Sequence, residues 1–110
     1  MSEKLDLKLE IFIPCDLAKN TTKNREIFKE IAEFIKMYGG TTLVYNCKGY
    51  WKGKGLVEVD DITILRTYTT ESFFKHYEHH ISFYELIERI KQSLTQECIA
   101  FTINDVMEFY

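Results

Sequence analysis

The sequence has few residues that interrupt regular structure: one proline and five glycines among 110 residues. Because it is also 45% hydrophobic and 15% aromatic, the composition excludes a disordered chain. It lacks any run of ~18 apolar residues, the length of a membrane-spanning helix, and its first residues do not resemble a signal peptide. We therefore expect one folded domain over residues 1–110, with no membrane partner.

The sequence has neither a large excess of charge of one sign nor a pattern of paired cysteines. The 17 acidic and 14 basic residues give a formal charge of −3, so no nucleic-acid partner is expected. Cys15, Cys47 and Cys98 are widely spaced and form no CxxC motif, which excludes a disulfide framework and a zinc pattern. Free thiols are typical of a reducing compartment, so we predict a cytoplasmic location.

The first third of the chain predicts a strand and then a helix. Apolar residues alternate from Leu5 to Ile13, as in a half-buried strand, and Pro14 ends it. Helical spacing of apolar residues predicts an amphipathic helix over roughly residues 23–37, stopped by Gly39-Gly40. Three candidate N-caps precede it: Asn20, Thr21 and Thr22.

Two β-prone segments follow, over residues 41–51 and 56–69, with a glycine-rich loop between them. In the second segment the apolar residues move from odd to even positions on passing Asp60-Asp61. A phase change of one residue is what a β-bulge produces, so we predict a bulge at Asp60-Asp61.

The last third predicts a helix and a hairpin. Residues 70–80 fit a short helix or an ordered loop, and Ser82 with Glu85 forms a capping box that would start a long helix. Residues 98–103 and 106–110 are β-prone and are separated by an Asn-Asp pair that suits a tight turn.

The element order is β-α-β-β-α-β with a short fifth strand at the C-terminus. This order predicts the α+β, ferredoxin-like two-layer sandwich, in which two helices cover one face of an antiparallel sheet. The other face needs a cover of its own. Seven aromatic residues fall on predicted strands, more than the helix-covered face would accommodate: Phe12, Tyr50, Trp51, Tyr68, Phe101, Phe109 and Tyr110. We therefore expect a homodimer or homotrimer, or a ligand, to bury this face.

The strongest candidate for ligand or partner binding is the loop region of the second and third strands. Glycines permit close approach, lysines attract anions, and Tyr or Trp rings stack on planar groups. A small anionic ligand would suit this combination. The alternative is a hairpin whose aromatics pack on a neighbouring subunit. The binding residues we predict are Lys48, Tyr50, Trp51, Lys52 and Lys54.

Two further clusters are candidates for metal binding or proton transfer. His76, Glu78, His79 and His80 could supply a full set of ligands to a divalent metal, although their spacing is not that of H-E-x-x-H. Solvated surface histidines are the alternative. Asp60 and Asp61, with the nearby Glu58, could bind a cation or act as acid and base, or could simply protect a sheet edge. No cofactor is predicted, and no residue requires catalysis.

Several segments, read in order, resemble an uncharacterised family of small bacterial and archaeal ferredoxin-like proteins. They are Gly39-Gly40-Thr41-Thr42, Gly49-Tyr50-Trp51, Glu58-Val59-Asp60-Asp61 and residues 96–103. The resemblance implies the fold and no established activity. The histidine segment has no counterpart there, so no histidine role is inherited.

Two segments are also similar to the CutA and PII-like trimers: Tyr50-Trp51-Lys52-Gly53 and residues 61–67. This resemblance implies the same fold superclass and a trimer, and it leaves ligand binding open.

Our leading hypothesis is a non-enzymatic, self-associating binding or regulatory domain that uses its aromatic sheet face and the Lys48–Gly55 hairpin. The first alternative is a small metalloprotein or enzyme that uses the histidine cluster with Asp60 and Asp61. The second alternative is a mobile-element inhibitor that occupies the surface of a host protein.

Overall fold

The computed structural model describes residues 4–110, which form five strands and three helices. The strands are β1 (Leu7–Ile13), β2 (Thr42–Lys52), β3 (Val57–Thr69), β4 (Ala100–Ile103) and β5 (Val106–Phe109). The helices are α1 (Thr22–Tyr38), α2 (Glu71–Lys75) and α3 (Tyr77–Ser93). All neighbouring strands are antiparallel, in the order β2-β3-β1-β4-β5. The expected ferredoxin-like α+β fold with a fifth strand is confirmed.

The ends of α1 follow the sequence signals. Thr21 is the N-cap, and its hydroxyl oxygen accepts a hydrogen bond from the Asn24 backbone N–H at 3.0 Å. At the other end Gly39 has a φ of 92° and donates its N–H to the Ile35 carbonyl at 2.7 Å. A left-handed residue at this position closes the last turn of the helix, as predicted.

The start of the second long helix differs from the prediction. Helix α3 begins at Tyr77, so the capping box at Ser82 and Glu85 is wrong and both residues lie inside the helix. The short helix α2 precedes it. Phe74 of α2 is buried against Phe83 of α3, with ring centroids 5.5 Å apart. Packing of these two rings anchors both helices, and such burial outweighs a local capping preference.

The predicted bulge at Asp60-Asp61 is also wrong. Strand β3 pairs regularly through both residues, with Asp60 opposite Gly49 and Asp61 opposite Lys48. The irregularity lies in β2, on the other side of the ladder.

The bulge in β2 lies between Val44 and Cys47. Val44 pairs with Ile64, whereas Cys47 pairs with Ile62, so β2 holds one residue more than β3 across this step. Within the bulge Asn46 has a φ of 61°, a left-handed conformation that asparagine tolerates better than most residues. A bulge of this kind bends its strand and increases the local twist.

The core lies between one face of the sheet and helices α1 and α3. Alternate residues of β1 point into it, and its most buried members include Leu9, Ile11, Leu65 and Ile87. We call the opposite sheet face the open face. The alternation along β1 and the strand register place Lys8, Glu10, Arg66 and Tyr68 there, and no helix covers them.

The seven strand aromatics divide between the two faces. By register, Phe12, Trp51, Tyr68 and Phe109 lie on the open face, as expected. The other three, Tyr50, Phe101 and Tyr110, lie on the opposite face, where Phe101 and Tyr110 contact α3. The ring of Phe101 lies 5.7 Å from that of Phe83, and the ring of Tyr110 lies 5.5 Å from that of Tyr84.

Within residues 4–110, none of the helices combines the length and the apolar character needed to cross a membrane.

Candidate functional site

The outer half of the β2–β3 hairpin, residues 49–59, projects beyond the helices and is here called the arm. Three of its apolar side chains are exposed on the face that the helices cover elsewhere: Tyr50 by 67%, Val57 by 69% and Val59 by 52%. The molecule is accordingly elongated, measuring 51 × 30 × 25 Å. The apolar side chains of β3 thus change faces where the strand passes from the helix layer into the arm, and β3 has no bulge at this point.

Trp51 lies flat against the base of the arm. A Cβ added to Gly49 would lie 3.2 Å from the Trp51 indole and 3.1 Å from Ile62, so the indole rests almost on the backbone of β2. Gly49 thus permits a close approach that a larger residue would allow only if Trp51 or Ile62 shifted by a few tenths of an ångström. The sequence predicted Trp51 as a binding residue, and its glycine neighbour positions the ring.

A cavity of about 220 Å³ opens beside Trp51 on the open face. Its apolar walls include Phe12, Trp51, Ile62 and Phe109, which come from four different strands or strand ends. Binding sites are commonly concave, largely apolar and furnished with a few polar groups, and this cavity has that character.

The charged side chains that line this cavity are both carboxylates. Glu58 and Asp60 are two residues apart on β3, so both lie on the open face. The cavity therefore offers aromatic walls and negative charge, which suit a planar or cationic group better than an anion.

The lysines predicted as binding residues do not line this cavity. Lys48 is on the other face of β2, where its ammonium group pairs with the carboxylate of Asp61. The hydrogen bond between them raises the pKa of Lys48 and lowers the pKa of Asp61. Lys52 and Lys54 are exposed at the arm tip. The acidic cluster of the sequence is thus divided: Asp60 borders the cavity and Asp61 neutralises a lysine.

Of the three histidines, His79 is partly buried between α2 and α3, whereas His76 and His80 are exposed. The ring of His79 stacks on Phe73 with centroids 3.6 Å apart, and its Nδ1 lies 2.8 Å from the Phe73 carbonyl oxygen. The ring of His80 packs at 4.9 Å from Phe74 and 5.0 Å from Tyr84. The rings therefore serve as packing surfaces for aromatic neighbours.

Across residues 4–110, no three His, Cys, Asp or Glu side chains are grouped so that they could hold a metal ion. His76 approaches only one other histidine, with its ring 4.8 Å from that of His79. The structure therefore does not bring His76, Glu78, His79 and His80 together as the metal hypothesis requires.

A charged network that the sequence analysis missed joins β1, β3 and β4 on the open face. Glu10 is only 6% exposed, and its Oε2 accepts a hydrogen bond from Nε of Arg66 and pairs with Nη2, both at 2.8 Å. Its Oε1 accepts a hydrogen bond from the Thr102 hydroxyl at 3.0 Å. The hydrogen bond to Glu10 raises the pKa of Arg66. The alternation along β1 places Glu10 opposite the buried leucines and isoleucines, but its partners come from strands far away in sequence.

The sheet order, the two-helix layer and the open face define a ferredoxin-like α+β protein with one uncovered sheet face. No family model matches the chain, and no curated protein matches it. The fold is nevertheless shared with solved structures.

One similar structure is a phage SAM lyase in complex with S-methyl-5'-thioadenosine. It is 14% identical, with 100% of this chain and 95% of that chain covered, and the TM-score is 0.66. The same kind of phage SAM lyase in its apo state is 12% identical, with a TM-score of 0.59 over 100% of this chain and 93% of that chain.

The divalent cation tolerance protein CutA1 of Thermus thermophilus is also similar. It is 18% identical, with 91% of this chain and 82% of that chain covered, and the TM-score is 0.55. At these identities the likenesses establish a common fold, which agrees with the resemblance to CutA seen in the sequence.

Proposed function

We propose that this chain is a self-associating binding domain in which a second copy covers the arm and part of the open face. The observation that carries the proposal is the apolar surface of the arm. Leu56 is 78% exposed and Val57 is 69% exposed. In a monomer these apolar side chains would remain in water and would not stabilise the fold. Contiguous apolar surface on a folded protein marks an interaction site.

A second copy is the proposed occupant because the same chain offers apolar surface at the other edge of the sheet. Val106, at 68% exposure, and Phe109, at 61%, lie on β5, which is the edge strand opposite β2. An arm from one copy that packs on the β5 side of the next would repeat around a ring. The resemblance to the CutA and PII-like trimers supports a ring of three.

The test measures molar mass by size-exclusion chromatography with light scattering at micromolar protein concentration. We expect a dimer or trimer, and we expect Val59→Lys and Trp51→Ala to shift it towards the monomer. Met37→Lys is the matched control, since Met37 is exposed by 39% on α1, away from the arm. A monomeric wild type would contradict the proposal, and so would equal dissociation by the control variant.

The ligand we propose for the cavity beside Trp51 belongs to the adenosyl-sulfur compounds. Aromatic walls suit stacking on a purine, and the carboxylates of Glu58 and Asp60 suit a cationic sulfonium group. A phage SAM lyase with the same fold has been solved with S-methyl-5'-thioadenosine, which supports this class over the small anion expected from the lysines.

Trp51, the single tryptophan, reports directly on this cavity. We expect S-adenosylmethionine and S-methyl-5'-thioadenosine to change its fluorescence saturably. Glu58→Gln with Asp60→Asn should weaken binding of the cationic S-adenosylmethionine more than binding of the neutral thioadenosine, because only the former loses charge attraction. Absence of a saturable change with both compounds would contradict the ligand class while leaving self-association to its own test.

The carboxylates also favour a second candidate function, an enzyme that acts on an adenosyl-sulfur compound. To distinguish the two candidate functions, S-adenosylmethionine is incubated with the protein and the products are analysed by chromatography. An unchanged compound supports a binding domain, whereas formation of S-methyl-5'-thioadenosine that depends on Glu58 or Asp60 supports the enzyme.

A further inference from the structure

A second binding feature lies at the end of the open face away from the arm, where Arg66 is held in a fixed orientation. Its Nε and Nη2 both face Oε2 of Glu10 at 2.8 Å, so one edge of the planar guanidinium is occupied. Glu10 cannot move aside easily, because it is 6% exposed and its other oxygen is held by Thr102. Arg66 is thereby oriented by a buried carboxylate.

The other edge of the same guanidinium remains available. A guanidinium carries five N–H groups, and the pair with Glu10 leaves Nη1 without an acceptor among residues 4–110. The side chain of Arg66 is 33% exposed, so solvent and small solutes reach it. Two N–H groups on one edge of an arginine match two oxygens of a carboxylate or phosphate.

Hydroxyl-bearing side chains share a cleft with Arg66. Thr42 is the cross-strand partner of Arg66 and lies on the same face of the sheet. Arg66, Thr42, Tyr68 and Thr70 line an open cleft of about 560 Å³ between the end of α1 and the sheet. Hydroxyls donate to anionic oxygens, so they complement the arginine.

We propose that this cleft is an oxyanion-binding site, in which Arg66 binds two oxygens of a small carboxylate or phosphate and the Thr42 hydroxyl assists. Lys8, on the same sheet face, is paired with Asp105 at 2.6 Å, and Glu10 balances the charge of Arg66. Recognition therefore depends on the fixed direction of N–H groups rather than on net positive charge. We expect dissociation constants on the order of millimolar for small anions.

The experiment titrates ¹⁵N-labelled protein with sodium succinate and with inorganic phosphate at constant ionic strength, using sodium chloride as the reference. We expect saturable shifts of the Arg66 Nε resonance and of the amides of residues 39–42 and 66–70. Succinate and phosphate separate the two sources of the oxyanion, and saturation by either one supports the site. Shifts that chloride reproduces, or that never saturate, would overturn it.

Three variants locate the binding. Arg66→Lys removes the paired N–H groups and should weaken binding by about tenfold. Thr42→Val keeps the pair with Glu10 intact and should weaken binding about threefold, which keeps the site testable if Arg66→Lys fails to fold. Arg89→Lys is the control, because Arg89 lies on α3 and pairs with Glu30 and Glu85. Unchanged binding in the Thr42 variant and in any folded Arg66 variant would overturn the proposal.

Discussion

At the scale of the residue, Glu10 shows how a charge is accommodated on the open face. One of its carboxylate oxygens is held by Arg66 and the other by the hydroxyl of Thr102. A buried ion pair is a weak source of net stability, but removing one partner leaves the other without compensation. Removal of Glu10 should therefore cost more folding free energy than removal of an exposed glutamate.

We predict that Glu10→Ala lowers the free energy of unfolding by about 2 kcal/mol, because Arg66 and Thr102 lose their acceptor. Urea denaturation measures this change. Glu30→Ala is the matched control, since Glu30 pairs with Arg89 at 3.1 Å on the exposed helix surface. The control should cost less than about 1 kcal/mol. Equal losses in the two variants would show that burial of Glu10 has no special effect.

The cysteines are a second test at this scale. Burial raises the pKa of the Cys15 thiol to about 11, whereas Cys98 is exposed. The thiolate is the reactive form, so iodoacetamide at pH 8 should label Cys98 before Cys15, as peptide mass spectrometry would show. Because the folded pKa lies above the unfolded value of ~8.5, the contribution of Cys15 to stability is present below that pH and is lost as the pH rises towards 11. Equally fast labelling of both thiols would contradict the burial of Cys15.

At the scale of the element, the end of α1 depends on one of two adjacent glycines. Gly39 has a φ of 92°, and its N–H closes the last turn, whereas no left-handed φ is found at Gly40. A Cβ added at either position would meet no atom within 4 Å, so space does not distinguish them. Backbone conformation alone separates the pair.

We predict that Gly39→Ala lowers the free energy of unfolding by about 1 kcal/mol, since alanine is strained in the left-handed region. Gly40→Ala should change it by less than about 0.5 kcal/mol, or even raise it, because alanine restricts the unfolded chain. Thermal and urea unfolding of the two variants side by side would measure the difference. The assignment of Gly39 as the cap is wrong if Gly40→Ala is the more destabilising.

The bulge in β2 is the other feature that matters at this scale. It lies between Val44 and Cys47, just before the arm begins, and Asn46 takes the left-handed conformation. Bulges bend their strand, so this one contributes to the direction in which the arm leaves the sheet.

At the scale of the whole molecule, the proposed interface and the proposed oxyanion cleft occupy different parts of the sheet. The proposed interface uses the arm and β5, whereas Arg66 lies towards the other end of β3. The proposed oxyanion cleft therefore does not depend on the second copy.

If the second copy covers the arm, the melting temperature should depend on protein concentration, because association stabilises the folded state by mass action. We predict that a hundredfold increase in concentration raises the melting temperature of the wild type by a few degrees. Differential scanning fluorimetry of wild type and Val59→Lys across that range would measure it. The variant should melt lower and at a temperature that does not vary with concentration. A constant melting temperature in the wild type would contradict a stable oligomer.

The sequence by itself determined the element order and the polarity of each element. Period-2 and helical spacing are local signals, so the strand at Leu7–Ile13, the helix that follows it and the turn at Asn104-Asp105 could be predicted. The alternation along β1 also placed Phe12 away from the helices. These features depend only on neighbours a few residues apart.

Only the tertiary structure decided which side chains meet. The bulge fell on β2 because its position depends on the pairing of two strands, and the apolar pattern of β3 alone could not reveal it. Glu10 meets Arg66 and Thr102 across the sheet, and the cavity draws its walls from distant strands. The charge of the candidate site differs from the expectation for the same reason. Lys48 pairs with Asp61 on the other face, and the charged residues beside Trp51 are Glu58 and Asp60. Contacts between residues far apart in sequence carry no local periodicity, so they become visible only when the strands are aligned.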